Sequence, residues 1–186
     1  MTDPRIYVAS LTDYNNAILH GEWIDADQDP DQIHAEVQAM LKKSPAARKY
    51  GDVAEEWAIH DYEGFYGISL SEWESFERVS AIAKLLKEHP PALVAYYVGD
   101  HELGEIPDLI EDRLLHESEE WSEVRAVTEW HWEILERRED IPQDIKDSHL
   151  WDLAEAMAHS DINGGAVHTV EVIEPGSRKY YVLSNC

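Results

Sequence analysis

The sequence has few basic residues, and this shortage excludes one large class of proteins. Fifteen lysines and arginines stand against 39 aspartates and glutamates in 186 residues, which gives a formal charge of −24. Direct binding of nucleic acid requires clustered lysine and arginine. The longest basic runs here are pairs such as Lys42-Lys43 and Arg137-Arg138. The sequence therefore disfavours a nucleic-acid-binding protein.

Cysteine and long apolar runs are equally scarce. Cys186 is the only cysteine, so the sequence predicts no intramolecular disulfide and no thiol nucleophile. The first fourteen residues lack a basic segment followed by an apolar one, and no run approaches the length of a membrane span. These absences predict a soluble, cytoplasmic protein that has no membrane partner.

Signatures of catalysis and of cofactor binding are also missing. With nine glycines, the chain has no phosphate-binding glycine loop, and its ten histidines are scattered without cysteine partners or a His-Glu-x-x-His motif. Paired carboxylates such as Glu55-Glu56 and Glu111-Asp112 abound, but general acid-base catalysis needs two carboxyls in different environments. No pair is distinguished from the others. The sequence predicts a protein that is not an enzyme and has neither a cofactor nor a metal.

One acidic segment is similar to a calcium loop. Residues 25–36 carry acids at positions 1, 3, 5, 7 and 12 of a twelve-residue window. Position 6, however, is Pro30, whereas an EF-hand needs glycine there for its sharp turn. We therefore expect a solvated acidic edge followed by a helix cap at Asp29.

The acidic residues are spread along nearly the whole chain. No lysine or arginine lies between Arg5 and Lys42 or between Lys49 and Arg78, and thirteen acids lie from Gly99 to Glu136. Such like charge opposes compaction, although 44% hydrophobic residues with seven Trp and nine Tyr argue against disorder. The expected partner of such a surface is a protein that normally binds polyanions.

Hydrophobic patterning predicts an α+β fold. In the first third, strands are expected over residues 6–11, 17–24 and 55–62, with a helix from Asp29-Pro30 to Lys42-Lys43. A capping box of Ser71 and Glu74 predicts a helix that includes Trp73 and extends to Leu86. Further helices are predicted over residues 91–98, 107–115, 121–135 and 148–159, and a terminal hairpin over 167–173 and 179–183 around Pro175-Gly176-Ser177.

These elements divide into an elongated chain of three small domains. Residues 1–64 are predicted to form an N-terminal α/β domain, residues 65–103 a central helical domain, and residues 104–186 a C-terminal α+β domain that mediates dimerisation. Core packing is expected for Trp23, Trp57, Trp73 and Trp121.

A dense row of carboxylates can imitate the DNA backbone. Duplex DNA carries one negative charge per about 1.7 Å of its axis and binds proteins largely through counterion release. A dimer would carry twice the charge of −24, comparable to the phosphates of roughly 24 base pairs, or about 80 Å of duplex. Carboxylates on a long, rigid body would compete for the same lysines and arginines.

Two segments of the chain closely resemble the ArdA antirestriction proteins. They are residues 5–27, RIYVASLTDYNNAILHGEWIDAD, and residues 55–64, EEWAIHDYEG; the segment LSEWES at 70–75 is also similar. The resemblance implies a protein carried on mobile DNA that blocks type I restriction-modification enzymes by occupying the DNA-binding groove of their specificity and methyltransferase subunits. It also implies a curved homodimer of three small domains per protomer, without cofactor or catalysis.

The predicted site residues follow from this picture. The phosphate surrogates are expected to be Glu22, Asp25, Asp27, Asp29, Asp31, Glu55, Glu56, Asp61, Glu63, Glu72, Glu74, Glu77, Asp108, Glu111, Asp112, Glu119, Glu120 and Glu123. The dimer contacts are expected at Leu150, Leu153, Met157, Val170, Val172 and Tyr181.

Two alternative functions are consistent with the same composition. One is an acidic protein-interaction module that binds a basic partner, and the other is a protein from a salty habitat whose acids retain water. A mimic needs its carboxylates along one continuous face, whereas a halophilic protein needs them everywhere.

Overall fold

The computed structural model describes residues 2–174 and 176–185, so Cys186 and Pro175, which the sequence placed in a predicted turn, lie outside the described residues. The chain divides between Leu103 and Gly104 into two compact units. The predicted α+β class is confirmed, because helices and two three-stranded sheets occur together. The division into three domains remains a prediction.

The sheet of the first unit consists of three short antiparallel strands. They are β1 (Arg5–Ser10), β2 (Gly21–Asp25) and β3 (Trp57–Glu63), in the order β2-β1-β3. Alternation along β1 buries Ile6 and Val8 completely, as expected for a central strand with one covered face. Gly21 is required in β2, because a Cβ atom there would lie 2.5 Å from the Val8 carbonyl oxygen.

Three helices connect these strands. They are α1 (Leu11–Asn15), α2 (Pro30–Leu41) and α3 (Pro45–Tyr50). The prediction for α2 is confirmed, since Asp29 Oδ1 accepts from the Asp31 amide at 3.0 Å and Pro30 occupies the first helical position.

The sequence was less informative around α1 and α3. Leu11 begins α1 instead of ending the strand, and β2 begins at Gly21, because Ala17 adopts a positive φ of 58° that interrupts an extended segment. Helix α3 was not predicted. Ser44 caps it by accepting from the Ala47 amide at 3.1 Å, and Gly51 ends it in the left-handed conformation.

The rest of the first unit is helical, with α4 (Phe76–Glu88) and α5 (Pro91–Tyr97). The predicted start of α4 was wrong. Ser75 is its N-cap and accepts from the Arg78 amide at 3.2 Å, while Ser71 and Glu74 close a separate turn before it. Helix α4 packs against the sheet region through Phe76, whose ring stacks on Trp57 at a centroid distance of 4.3 Å.

The second unit contains α6 (Ile106–Arg113), β4 (Leu114–Ser118), α7 (Glu123–Glu136), α8 (Gln143–Gly164), β5 (Val167–Glu174) and β6 (Ser177–Ser184). A short 3-10 turn, Leu103–Glu105, precedes α6. The strands are antiparallel in the order β4-β6-β5. The pairing of β5 with β6 confirms the predicted terminal hairpin.

Two predictions in this unit need correction. Residues 114–118 were expected to lie partly in a helix and partly in a connecting segment, but they form β4, because β6 supplies a pairing partner from the distant end of the chain. Helix α8 extends well beyond the predicted 148–159 at both ends, because its apolar stripe is shorter than the helix itself.

Helices α7 and α8 form the core of the second unit together with β5 and β6. One cluster contains Ala126, Val127, Ala158, Val167, Tyr180 and Val182, and a second contains Leu135, Leu150 and Ala154. Between the helices, Nε2 of the buried His131 lies 3.0 Å from Oδ2 of Asp161. This contact provides a polar link between the two helices.

Candidate functional site

The candidate site is the set of acidic side chains that the sequence singled out. None of the eighteen is buried. Five are half-buried, and we call Glu22, Asp27, Glu63, Glu74 and Glu120 the paired carboxylates. The other thirteen are exposed, and we call them the open carboxylates: Asp25, Asp29, Asp31, Glu55, Glu56, Asp61, Glu72, Glu77, Asp108, Glu111, Asp112, Glu119 and Glu123.

Each paired carboxylate contacts a basic side chain of its own chain. The partners are Lys43 for Glu22 at 3.0 Å, Lys87 for Asp27, Arg5 for Glu63, Arg78 for Glu74 at 3.7 Å and Arg125 for Glu120 at 2.8 Å. The open carboxylates have no such ion pair within the described part of the chain. The two sets therefore differ both in exposure and in local charge balance.

In the β2–α2 segment, local backbone geometry determines which acids face solvent. Ile24 and Ala26 are buried, whereas Asp25 between them is exposed. The extended backbone thus alternates apolar residues inward with acids outward. Asp29 and Asp31 follow at the first turn of α2, where the helix dipole favours negative charge.

Glu55 and Glu56, which precede β3, are exposed, and Asp61 within β3 is exposed as well. The Glu56 carbonyl accepts from the Leu11 amide at 3.0 Å, which ties the approach to β3 to the start of α1. Asp61 Oδ1 accepts from the adjacent Tyr62 amide at 2.8 Å. These contacts hold the backbone in place and leave the charges of the carboxylates unneutralised.

Helix α6 gathers three open carboxylates on one face. Ile106 and Ile110 are buried, while Asp108, Glu111 and Asp112 are exposed. Residues three and four apart lie on the same side of a helix, and the rise from 108 to 112 is about 6 Å at about 1.5 Å per residue. Three charges over about 6 Å have a mean axial separation of about 3 Å, within a factor of about two of the one charge per about 1.7 Å of duplex DNA.

The acidic segment before α7 also contacts its own unit. Arg125 donates to Glu120, and this hydrogen bond holds the pKa of the Glu120 carboxyl below its ordinary value against the opposing effect of desolvation. Glu123 Oε1 accepts from Thr169 Oγ1 of β5 at 3.0 Å. Glu119 is exposed.

Sequence reasoning missed further acids on α8. Asp144, Asp147, Asp152 and Glu155 are all exposed. The predicted helix began only at residue 148, and Glu123 was the last of the predicted phosphate surrogates. The buried positions Leu150, Ala154 and Ala158, spaced by four, would have identified Asp152 and Glu155 as residues of the outer face.

The predicted dimer residues fall into two groups. Leu150 and Tyr181 are buried by their own chain, at 2% and 6% exposure. Leu153 is exposed, and Met157, Val170 and Val172 are half-buried. Val170 lies opposite Tyr181 in the ladder of β5 and β6, so the three strand residues share one sheet face.

The expected core positions of the tryptophans are only partly correct. Trp57 is half-buried against Phe76. Trp23, Trp73 and Trp121 are 40%, 64% and 67% exposed, so the prediction of core packing was wrong for them. Trp73 and Trp121 lie outside regular helix, just before the N-cap serines of α4 and α7, and therefore do not face a core.

Within the described part of the chain, no group of three or more histidine, cysteine, aspartate or glutamate side chains could hold a metal ion. In the segment similar to a calcium loop, Asp29 caps α2 and Asp27 pairs with Lys87. Among the helices of residues 2–174 and 176–185, none is long and apolar enough to cross a membrane.

Comparison with known families gives the class of the protein. A family model described as antirestriction protein matches residues 6–172, which is most of the chain. A search of curated proteins found no match. The chain belongs to the ArdA family of antirestriction proteins, which confirms the resemblance seen in residues 5–27 and 55–64.

Proposed function

We propose that this protein inhibits type I restriction-modification enzymes by imitating B-form DNA. In this proposal, it occupies the DNA-binding groove of the specificity and methyltransferase subunits, in the cytoplasm of a cell that has received mobile DNA. Membership of the ArdA family supports antirestriction. The observation that carries the mimicry is the set of thirteen open carboxylates, all exposed and without a described basic partner.

Open carboxylates are suited to this role for an electrostatic reason. Proteins that bind DNA gain much of their affinity from lysine and arginine contacts to phosphates. A carboxylate that already has a lysine or arginine partner offers less to a second cation, whereas an exposed carboxylate without one keeps its full charge for the target. The linear charge density on α6 is within a factor of about two of that of a duplex, which supports replacement of phosphates.

We further propose that the protein acts as a homodimer through its second unit. Leu153 and Met157 are accessible apolar side chains on α8. Val170 and Val172 are accessible on β5, on the sheet face opposite to the one that packs against the helices. Accessible apolar side chains favour association, while Leu150 and Tyr181 are buried within the protomer. Two copies would double the length of duplex that the carboxylates replace.

A competition assay tests the proposal directly. A labelled DNA duplex that contains the recognition sequence is bound to a purified type I methyltransferase, and increasing amounts of the protein are added. We expect stoichiometric displacement of the duplex. Retention of the duplex at saturating protein would contradict the mimicry. It would favour an acidic module that binds a basic partner outside the DNA groove.

A matched pair of variants separates charge from damage to the fold. Asp108→Asn, Glu111→Gln and Asp112→Asn together remove three charges from one face of α6 and should weaken displacement. Lys42→Gln with Lys84→Gln removes two exposed bases and should leave displacement equal or stronger. If both variants weaken displacement equally, local charge is not the cause.

A further inference from the structure

The chain twice holds one of its own arginines between an indole ring and a carboxylate. The first case is Arg5, whose guanidinium carbon lies 4.7 Å from the centre of the Trp23 ring. The same guanidinium pairs with Glu63. The ring quadrupole and the carboxylate attract the cation together.

The second case lies at the start of α7. The Arg125 guanidinium is 5.6 Å from the Trp121 ring and 5.1 Å from the Trp151 ring, and its Nε donates to Glu120 Oε2 at 2.8 Å. The two cases belong to different units of the chain. Tryptophan with glutamate is thus a recurrent arrangement for holding arginine in this protein.

Trp73 shows the same combination of residue types without an arginine. Its side chain is 64% exposed, and no lysine or arginine of residues 2–174 and 176–185 lies over its ring. Glu72 beside it is an open carboxylate. Glu74 on the other side pairs with Arg78 at 3.7 Å, so of the two glutamates that flank Trp73 in sequence only Glu72 lacks a basic partner among the described residues.

Hydrogen bonds fix the backbone of the turn that carries Trp73. The Ile59 amide of β3 donates to the Glu72 carbonyl at 2.9 Å, and the Trp73 amide donates to Ser71 Oγ at 3.2 Å. The Glu74 amide donates to the Ser71 carbonyl at 3.1 Å. The backbone under the indole is therefore ordered before any partner arrives, which lowers the entropic cost of binding.

We propose that Trp73 and Glu72 form a receptor for an arginine side chain of the target protein. This inference rests on the proposed function, because a groove that binds DNA phosphates presents arginines to its ligand. The indole receives the planar face of the guanidinium, and the Glu72 carboxylate receives its N–H groups. Arginine is preferred over lysine because its guanidinium stacks on aromatic faces and is more weakly hydrated. Tryptophan is also among the residues that most often dominate binding energy in interfaces.

The test uses the displacement assay with variants of the full chain. Trp73→Ala should weaken displacement by roughly 2- to 30-fold, the range of a cation–π contact, while Trp73→Phe should fall between it and the wild type. Glu72→Gln should weaken displacement as well. Tyr50→Ala is the control, because Tyr50 is 52% exposed in the same unit but lies next to Lys49, whose ammonium is 4.9 Å from its ring. It should displace DNA as the wild type does.

Two results would overturn the receptor. One is that the Trp73→Ala variant displaces DNA as well as the wild type does. The other is that Tyr50→Ala weakens displacement as much as Trp73→Ala does. Thermal melts of both variants establish that they are folded, which the exposure of the two side chains leads us to expect.

A second measurement keeps this inference separate from the proposed function. If the wild type fails to displace the duplex, the proposed function is wrong, and titration with an arginine nonapeptide then decides the receptor. The indole N–H resonance of Trp73, assigned by its loss in Trp73→Phe, should shift with the arginine peptide and shift less with a lysine nonapeptide. A resonance that does not move overturns the receptor.

Discussion

The carboxylate of Asp13 accepts a hydrogen bond of 2.8 Å from the backbone amide of Ala46, 33 residues further along the chain. Asp13 is completely buried, and the contact joins α1 to the first turn of α3. Burial by itself raises the pKa of Asp13. Hydrogen bonds from Ser10, from the Ala46 amide and from Ser44 outweigh that effect and hold the pKa below its ordinary value of 3.8.

We predict that Asp13→Ala destabilises the protein by roughly 1–3 kcal/mol at neutral pH, because the Ala46 amide loses its buried acceptor. The folded pKa of Asp13 is below the unfolded one, so its ionic contribution to stability is complete above about pH 4 and is lost as the pH falls through the folded pKa.

Urea denaturation at several pH values measures this contribution to the free energy of unfolding. The difference between wild type and variant should shrink below about pH 4. Asp52→Ala, at an exposed loop position, is the control and should cost little. If the loss of unfolding free energy in Asp13→Ala stays constant into strong acid, the ionised carboxylate does not have the stabilising role assigned to it.

Leu150 and Leu153 lie three residues apart on α8 but should affect different properties. Leu150→Ala should lower the free energy of unfolding by about 2–5 kcal/mol, because it opens a cavity in a buried cluster. Leu153→Asp should leave the protomer folded, since Leu153 is 43% exposed, and should shift the proposed dimer toward monomer. Denaturation and sedimentation velocity separate the two effects. A dimer that is unchanged by Leu153→Asp would remove this face of α8 from the proposed interface.

Target binding should be distributed over the open carboxylates. Apart from Glu72 in the proposed arginine receptor, alanine at any one of them should change affinity only slightly, because exposed charges are screened and each contributes little. Blocks of three to five substitutions should weaken binding progressively. Displacement titrations of single and block variants measure this. One carboxylate whose loss abolishes activity in a folded protein would indicate a catalytic or metal site.

Added salt should act in opposite directions on the complex and on the free protein. Screening weakens the attraction between the carboxylates and the target cations, and it also weakens the repulsion within a chain of charge −24. We therefore expect a lower affinity by calorimetry and a higher melting temperature of the free protein across the same salt series. A melting temperature that does not rise with salt would show that like-charge repulsion does not limit the stability of this fold, and an affinity that does not fall would contradict electrostatic attraction to the target.

Sequence patterns predicted the elements whose signals are local. Helix α2 was correctly bounded because Asp29 and Pro30 specify its start chemically. Strand β1 was recognised by the alternation of Ile6 and Val8 with neighbours that face the other side. The exposure of the acidic residues was equally predictable, since an isolated buried carboxylate is too costly to occur often.

Most of the errors depend on distant parts of the chain, and one, at Trp73, depends on which of two neighbouring serines caps a helix. Strand β4 exists because β6 pairs with it, and nothing within Leu114–Ser118 specifies that pairing. Trp73 was placed in a helix by the Ser71 and Glu74 pattern. The Glu74 side chain does lie 3.4 Å from the Ser71 amide, but Ser75 provides the actual helix cap. The partners of Asp27 and Glu63 could not be predicted either, because Lys87 and Arg5 are about sixty residues away in sequence.

The division between paired and open carboxylates implies two patterns of substitution during divergence of the family. A relative that replaces Lys87 with a neutral residue should also replace Asp27, because the half-buried acid would otherwise lose its counterion. Positions such as Asp108 and Glu111 carry no such constraint from a partner, so aspartate and glutamate should interchange there freely and compensating changes should be absent. Correlated substitution thus distinguishes the acids that maintain the fold from those available to the target.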